Sequence, residues 1–391
     1  MRQEVVDLSI AENWLVRDLL VETYRHAIQD DFTSSSLSYP PDANGLPSLL
    51  NSLAEFFNKY FRPHREITTK DIAVGPGATS CLEALLLQIC EPGDGVLIPA
   101  PYWNGFDFWS DLRAKVTPLP VYTSTVDDCN CVDLVSQLEK ALGEATCPVK
   151  ALIITNPNNP ITRCYSRTVL EELVRFCERH KLQLISDEIY ALTMFPSSTL
   201  QRDEGFVSIL ELCPEDVGFD LSRVSVLWGS SKALGSSGIR VGCVVIPENL
   251  NLRQTIATAS ALQVSSMSAV ALGHLLECAS FDAILQTNQA RLVASYRILT
   301  GYLAAKDIRY LPTTGGLFVM ARIAPSAQSW EEESLAIETM LRFGVKVSPG
   351  RAYHMPEDEK GWARISFAVP THTLLQAITR IEAMYNTQPL S

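Results

Sequence analysis

"VSVLWGSSKALGSSGIRVG" (residues 224–242) joins two apolar runs through a stretch of small residues. Val224, Val226 and Leu227 have the character of a buried strand, and Val241 to Ile246 that of a second one. Between them Gly229, Ser230, Ser231, Gly235, Ser236, Ser237 and Gly238 leave backbone N–H groups and hydroxyls bare, a surface suited to an anion. A single lysine, Lys232, stands in this loop, and Arg240 closes it. The stretch alone reads equally well as a solvated turn between strands, so the rest of the chain has to decide.

Outward from this loop, strand-like runs alternate with helix-like ones. In "DIAVGPGATSCLEALLLQIC" (71–90) a short strand meets a Gly-Pro-Gly turn, and Thr79-Ser80 precede a helix that buries Leu82, Leu85, Leu86 and Ile89 on one face. "GVLIPAP" (95–101) and "VKALIITNPNNP" (149–160) read as strands. "TVLEELVRFCERHK" (168–181) is an amphipathic helix with Leu170, Leu173, Val174 and Cys177 inward, feeding the strand "LQLISDEIY" (182–190). Strands separated by helices predict an α/β fold with a mostly parallel sheet covered on both faces. Ligands of such sheets bind off the carboxyl ends of the strands. That rule points to Ala78-Thr79, Asn156 to Pro160, Asp187 to Tyr190 and the Lys232 loop.

From about residue 280 the texture changes. A long helix over "QARLVASYRILTGYLAA" (289–305) precedes the strands "GGLFVMARI", "VKVSPG" and "WARISFAV", and a last helix carries Leu374, Ile378, Ile381 and Tyr385. The expected organisation is an N-terminal segment (1–40) packing with a smaller α+β domain (280–391), and a large cofactor-binding domain (41–279).

Composition narrows the function. The chain has 391 residues, 47% hydrophobic and 19% charged, which is globular, and a net charge of −12, which disfavours nucleic acid and anionic membranes. The acidic start "MRQEVVDLSIAENWL" is unlike a signal peptide, and no run reaches the ~18 apolar residues of a membrane helix. Ten cysteines include no C-x-x-C pair, and Cys129 and Cys131 are spaced for neither zinc nor redox chemistry. Free thiols, no metal and a cytoplasmic setting are expected.

Gly77, Ala78 and Thr79 open a helix, whose amides and dipole favour an anion. Asp187 and Tyr190 follow a strand, and Lys232 is the only lysine between Lys181 and Lys306. Together with Arg240 these groups match the needs of pyridoxal 5'-phosphate: a phosphate cradle, a carboxylate that keeps the pyridine nitrogen protonated, and a lysine for the aldehyde.

These residues also carry a family resemblance, which runs from "AEN" (11–13) to "RISFA" (364–368). The chain resembles a fold-type I aminotransferase of class I/II and, within that group, the 1-aminocyclopropane-1-carboxylate (ACC) synthase branch. "SSKALGSSGIRVG" resembles the family's lysine loop, which makes Lys232 the Schiff-base lysine and Ser231 and Arg240 phosphate ligands. "SDEIY" resembles the strand end that supplies Asp187 to the pyridine nitrogen and Tyr190 to the ring oxygen, and "NPNNP" the turn whose Asn159 bonds that oxygen. "PYWNGFD" resembles the segment whose second aromatic stacks on the ring, implying Trp103 ahead of Tyr102. "SPGRAYH" and "GWARISFA" resemble the elements that give Arg364 to the substrate α-carboxylate. "SIAENWL" resembles the segment whose glutamate lies near the substrate side chain, implying that place for Glu12, with a charge at a helix N-terminus as the alternative; "SYPPDANGLPSLL" resembles the segment whose tyrosine, here Tyr39, reaches the neighbouring subunit of a homodimer.

Several positions depart from the pattern. Gly229 stands where the family usually has a serine, "NPNNPITR" lacks the usual glycine and adds Arg163, and Ala233 and Ala363 replace an aspartate and a phenylalanine. The resemblance implies a lyase that eliminates a group at Cβ or Cγ, for instance by C–S cleavage in specialised metabolism. The alternative is an aminotransferase using a 2-oxo acid. A non-catalytic cofactor-binding module is the third reading, set against the presence of Lys232, Asp187 and Arg364.

Overall fold

The computed structural model describes residues 4–41, 44–128, 130–195, 205–260 and 262–387. Cys129 lies outside the described residues, and no disulfide joins any two of the nine cysteines within them. Twelve strands are β1 (Val6–Asp7), β2 (Ile72–Gly75), β3 (Gly95–Pro99), β4 (Thr117–Val121), β5 (Val149–Thr155), β6 (Gln183–Asp187), β7 (Val224–Gly229), β8 (Gly242–Val245), β9 (Phe318–Arg322), β10 (Val345–Lys346), β11 (Ser348–Pro349) and β12 (Trp362–Ser366).

Seven strands build the central sheet in the order β2-β8-β7-β6-β5-β3-β4. All pairs are parallel except those of β8, which runs against both β7 and β2. The sequence periodicity explains why both faces are covered. Ala151, Ile153, Ile185 and Leu227 face one core, while Leu152, Ile154, Leu184 and Val226 face the other. Helices such as Ala78–Ile89 and Arg167–His180 cover these faces. The latter is started by the Ser166 hydroxyl accepting from the Val169 N–H (3.4 Å) and ended by Lys181 in the left-handed region (φ 57°), which turns the chain into β6.

A second core, containing Phe318, Val319, Ile365 and Phe367, sits under the antiparallel sheet β11-β12-β9 and the helices Trp330–Arg342 and Thr371–Thr387. The "VKVSPG" run divides: β10 pairs with β1 in parallel, and β11 pairs with β12. The long helix begins at Phe281, two turns earlier than its apolar pattern suggested, and crosses between cores. Phe281 and Ile284 belong to the first, Leu292, Leu299 and Leu303 to the second.

The N-terminal segment also divides. Val6, Leu8, Ala11 and Leu15 join the second core, whereas Val16 and Leu20 join the first, where the helix Arg17–Asp30 packs on Ser266–Glu277. Residues 9–11 are thereby drawn across the mouth of the sheet. Among the described residues no single helix is long and apolar enough to cross a membrane.

Candidate active site

Six of the seven central strands run the same way, so the segments leaving β2, β3, β5, β6 and β7 converge on one edge of the sheet, where β8 enters. A cavity of about 430 Å³ lies there. Its wall includes Ala78, Thr79, Trp103, Asn159, Asp187, Tyr190, Ser231, Lys232, Arg240 and Arg364. These are segments far apart in the chain, brought together by the crossovers.

At one end the backbone makes an open cradle. Gly77 has φ 101°, and a Cβ there would lie 2.4 Å from Arg240 Nη2. A Cβ on Gly242 would lie 2.3 Å from the Ala78 nitrogen, so the Gly77-Ala78 backbone rests directly on β8. The Thr79 and Ser231 hydroxyls line the cavity here at the start of the helix Ala78–Ile89. Arg240, itself in the left-handed region (φ 56°), donates to the carbonyls of Ser237 (2.9 Å) and Pro76 (3.0 Å). Gly229 is packed tightly: a Cβ would lie 3.2 Å from the Val241 carbonyl oxygen and 3.7 Å from the Ala78 nitrogen.

Lys232 is half-buried and donates to the Ala11 carbonyl (2.8 Å). Burial, seconded by the Arg364 charge, pulls its ammonium down to about 8, toward a free amine at neutral pH. Asp187 ends β6 and is buried; its Oδ1 accepts from the Ile189 N–H (3.2 Å). Burial pushes its carboxyl up to about 6, and no protein cation pairs with it among the described residues. A carboxylate so placed is incomplete without a cation in the cavity. The Tyr190 phenol is also raised by burial, and its ring lies 5.8 Å from Lys232 Nζ.

At the other end Arg364 is only 4% exposed. Its Nη1 donates to Asn159 Oδ1 (2.9 Å) and its Nη2 to the Ser9 carbonyl (2.8 Å), while Nε has no partner. The guanidinium is held between the rings of Phe318 (4.3 Å) and Tyr353 (4.6 Å). It pairs with no carboxylate among the described residues. A buried cation with an orphaned donor and no counter-ion is a ready site for an external carboxylate.

Trp103, not Tyr102, faces the cavity. Its indole lies flat over Gly105, where a Cβ would come within 2.2 Å of the ring. Tyr102 is buried and turned away, stacked on His354.

Glu12 is not part of the cavity wall. Its carboxylate accepts from Ser237 Oγ (2.5 Å) and Arg17 Nη2 (2.9 Å). Burial acts to raise that carboxyl, but these two bonds hold it below its usual range. Tyr39 is also outside the wall, 83% exposed on the surface of the single chain.

The departures find local explanations. Thr162 occupies the left-handed position (φ 55°) where the family has glycine, and its methyl fills space that a Cβ on Gly316 would invade at 2.1 Å. Arg163 turns away to Asp127 (3.0 Å) and the Pro312 carbonyl (3.2 Å). The Ala233 carbonyl accepts from Asn288 Nδ2 (3.0 Å), and Ala363 is buried in β12. Sequence reasoning missed the carbonyls of Ser9 and Ala11 as partners of Arg364 and Lys232. Their backbone role leaves no side-chain signal, although "SIAEN" marked the segment. It also missed Tyr353, which the quoted "SPGRAYH" contained.

The relatives of the chain identify its family. The aminotransferase class I and II profile matches residues 3–381. A probable aminotransferase of Aspergillus oryzae, aclI, is 42% identical over 98% of this chain and 91% of its own length. An ACC synthase of Cucurbita maxima, CMW33, is 29% identical over 97% of this chain and 78% of its own. Among solved structures, the aromatic aminotransferase from Pyrococcus horikoshii OT3 superposes with a TM-score of 0.82 at 23% identity, covering 100% of this chain and 98% of that one. A lysine, a buried carboxylate, an anion cradle and an unpaired arginine in one cavity, on a chain matched along almost its whole length, make this protein a member of the aminotransferase class I and II family.

Proposed function

We propose that the enzyme binds pyridoxal 5'-phosphate in this cavity and eliminates a neutral group, such as a thiol, from Cβ or Cγ of an amino-acid conjugate. The residues fit the cofactor. Gly77, Ala78, Thr79, Ser231 and Arg240 would hold the phosphate, Asp187 the ring nitrogen, Tyr190 and Asn159 the ring oxygen, and Trp103 the ring face. Lys232 is the attachment point. When bound, the cofactor supplies an electron sink for a pair left at Cα.

The chain's own residues account for the rest. Arg364 grips the α-carboxylate by a charge-assisted fork worth about 1.5–3 kcal/mol and so fixes rotation about the Cα–N bond. Lys232, lowered to about 8 by burial, accepts the Cα proton near neutral pH. In β-elimination the electron pair from Cα forms the Cα=Cβ bond as the Cβ–S bond breaks. The leaving thiolate takes up a proton.

The observation that favours elimination over exchange with a dicarboxylic 2-oxo acid is the charge census of the wall. Its charged side chains are Asp187, Lys232, Arg240 and Arg364. Each has a use toward cofactor or α-carboxylate, which leaves this subunit no cation for the second carboxylate of a dicarboxylic 2-oxo acid. The neutral groups Ile10, Ala11, Ala352 and Tyr353 remain for the substrate side chain. The aminotransferase names of the curated relatives favour the second reading, exchange with a 2-oxo acid. A single turnover on a panel of S-substituted cysteines, with no 2-oxo acid added, separates the two. Release of thiol and ammonia with return of the starting cofactor spectrum is expected. Stoichiometric conversion of the cofactor to its amine form, with further turnover only on addition of a 2-oxo acid, would establish the aminotransferase.

The enzyme is further proposed to be a cytoplasmic homodimer in which Tyr39 completes the neighbouring site. Tyr39 and Leu37, at 83% and 79% exposed, support this reading. Inactive Tyr39→Ala and Lys232→Ala chains should restore partial activity when mixed, and a fully active monomer would exclude it.

A further inference from the structure

Three side chains outside the cavity wall form one tight cluster. The His354 imidazole stacks on the Tyr102 ring at 4.1 Å and 17°. Asp107 Oδ2 lies 2.6 Å from His354 Nε2, and its Oδ1 accepts from the Tyr102 hydroxyl at 2.7 Å. One carboxylate thus joins the polar edges of both rings of an aromatic stack. The cluster ties the segment after β3 to the turn between β11 and β12, and the Tyr102 N–H donating to the Tyr353 carbonyl (2.9 Å) adds a backbone link.

Both sides of this joint are braced. His354 sits in the left-handed region (φ 55°), a conformation that non-glycine residues keep only where surroundings enforce it. The buried Glu333 carboxylate accepts from the N–H groups of Arg351 (2.9 Å), Gly361 (2.9 Å) and Trp362 (3.1 Å), which holds the turn on β12. On the other side, Gly105 lets the Trp103 indole lie flat on the backbone.

The neighbours of the cluster are what give it a role. Trp103 follows Tyr102 and walls the cavity, while Tyr353 precedes His354 and covers the Arg364 guanidinium. We infer that His354, Asp107 and Tyr102 are positioning residues: a clamp that sets Trp103 against the cofactor ring and Tyr353 against Arg364 at once. A carboxylate-bridged pair of rings defines both distance and angle, which a single contact would not. The inference rests on the cofactor reading above.

The test uses the full chain as purified with its cofactor. It follows cofactor release into a trap, the circular dichroism of the visible cofactor band, and KM against kcat. His354→Ala and Asp107→Ala should each speed release about tenfold, diminish the visible dichroism and raise KM more than they lower kcat. Asp107→Asn, which can still accept from Tyr102 and bond His354, should restore release to within about twofold of the parent. Gly105→Ala, which displaces the indole without touching the clamp, should also hasten release. Alanine variants that keep parental release rates and dichroism, whatever their melting temperature, overturn the clamp. So does an Asp107→Asn variant as impaired as Asp107→Ala. If the alanine variants are insoluble, Tyr102→Phe decides: faster release supports the clamp and an unchanged rate overturns it. A parent chain that binds no cofactor at all defeats the functional reading itself, a different outcome from a loaded parent with normal variants.

Discussion

The two arginines of the cavity are held in opposite ways. Arg240 is exposed, and its guanidinium rests on the carbonyls of Ser237 and Pro76 at the rim of a glycine-lined turn. Arg364 is buried between two rings, with partners 205 and 355 residues away in the chain. The proposed cofactor end is thus mostly backbone conformation, written in glycines and left-handed residues. The proposed substrate end is side-chain packing, assembled from the N-terminus, the turn after β5 and the antiparallel sheet. Errors at the first should loosen the cofactor; errors at the second should spare the cofactor and spoil substrate binding.

Lys232→Ala gives the largest expected effect, because it removes both the attachment point and the base, and it belongs to both ends. Turnover should fall roughly 10²–10⁴-fold even with added cofactor, and borohydride should no longer fix cofactor to the chain. An adduct that persists at Lys181 or Lys306 would break the assignment.

Asp187 offers a test by pH. Burial lifts its carboxyl from 3.8 to about 6, so the unfolded chain releases that proton first. Stability from this group is therefore present below pH 3.8 and lost as pH rises to about 6, by about 3 kcal/mol in cofactor-free protein. Glu188, lifted by burial to about 8, acts with the same sign over a wider range. Comparing Asp187→Asn with its parent isolates the first term. The advantage of the variant in Tm should grow between about pH 4 and 6 and shrink when cofactor is bound. A constant difference would mean that Asp187 is not held in a cation-seeking site.

Arg364→Lys keeps the charge but loses the fork, so KM should rise about tenfold or more with cofactor retention nearly unchanged. Gly77→Ala should do the reverse. Its strained φ and the clash with Arg240 cost about 1–3 kcal/mol, seen as weaker cofactor binding with little change in KM once saturated. If the two variants give the same pattern, the division between the ends is false. Glu12→Gln should do least. Its carboxylate is occupied by Arg17 and Ser237, so KM should change by less than about threefold. A tenfold change would show that Glu12 meets the substrate after all.

The legibility of the molecule follows the same division. The Lys232 loop, the Gly77–Thr79 turn and the Asp187 strand end were readable because each role is fixed by a few consecutive residues and the end of a strand. The succession of strand-like and helix-like runs was enough to predict a sheet covered on both faces, and Leu152, Ile153 and Ile154 do face alternate cores. The antiparallel course of β8 had no such signal, since a buried four-residue strand reads the same in either direction. The position of Glu12 was equally hidden, because its engagement with Ser237 joins residues 225 apart.

By itself the sequence determined the fold class and the family, and it marked the proposed cofactor end: residue types with a fixed chemistry at short spacing, where local backbone geometry does the positioning. Its motif also singled out Arg364, the arginine proposed for the substrate carboxylate. Only the tertiary structure decided how that arginine is left without a counter-ion and why Thr162 can replace a glycine opposite Gly316. The same holds for Trp103 facing the cavity while Tyr102 is drawn away by Asp107 and His354. Each of these depends on the distance between side chains from remote segments, and packing rather than chain order sets that distance.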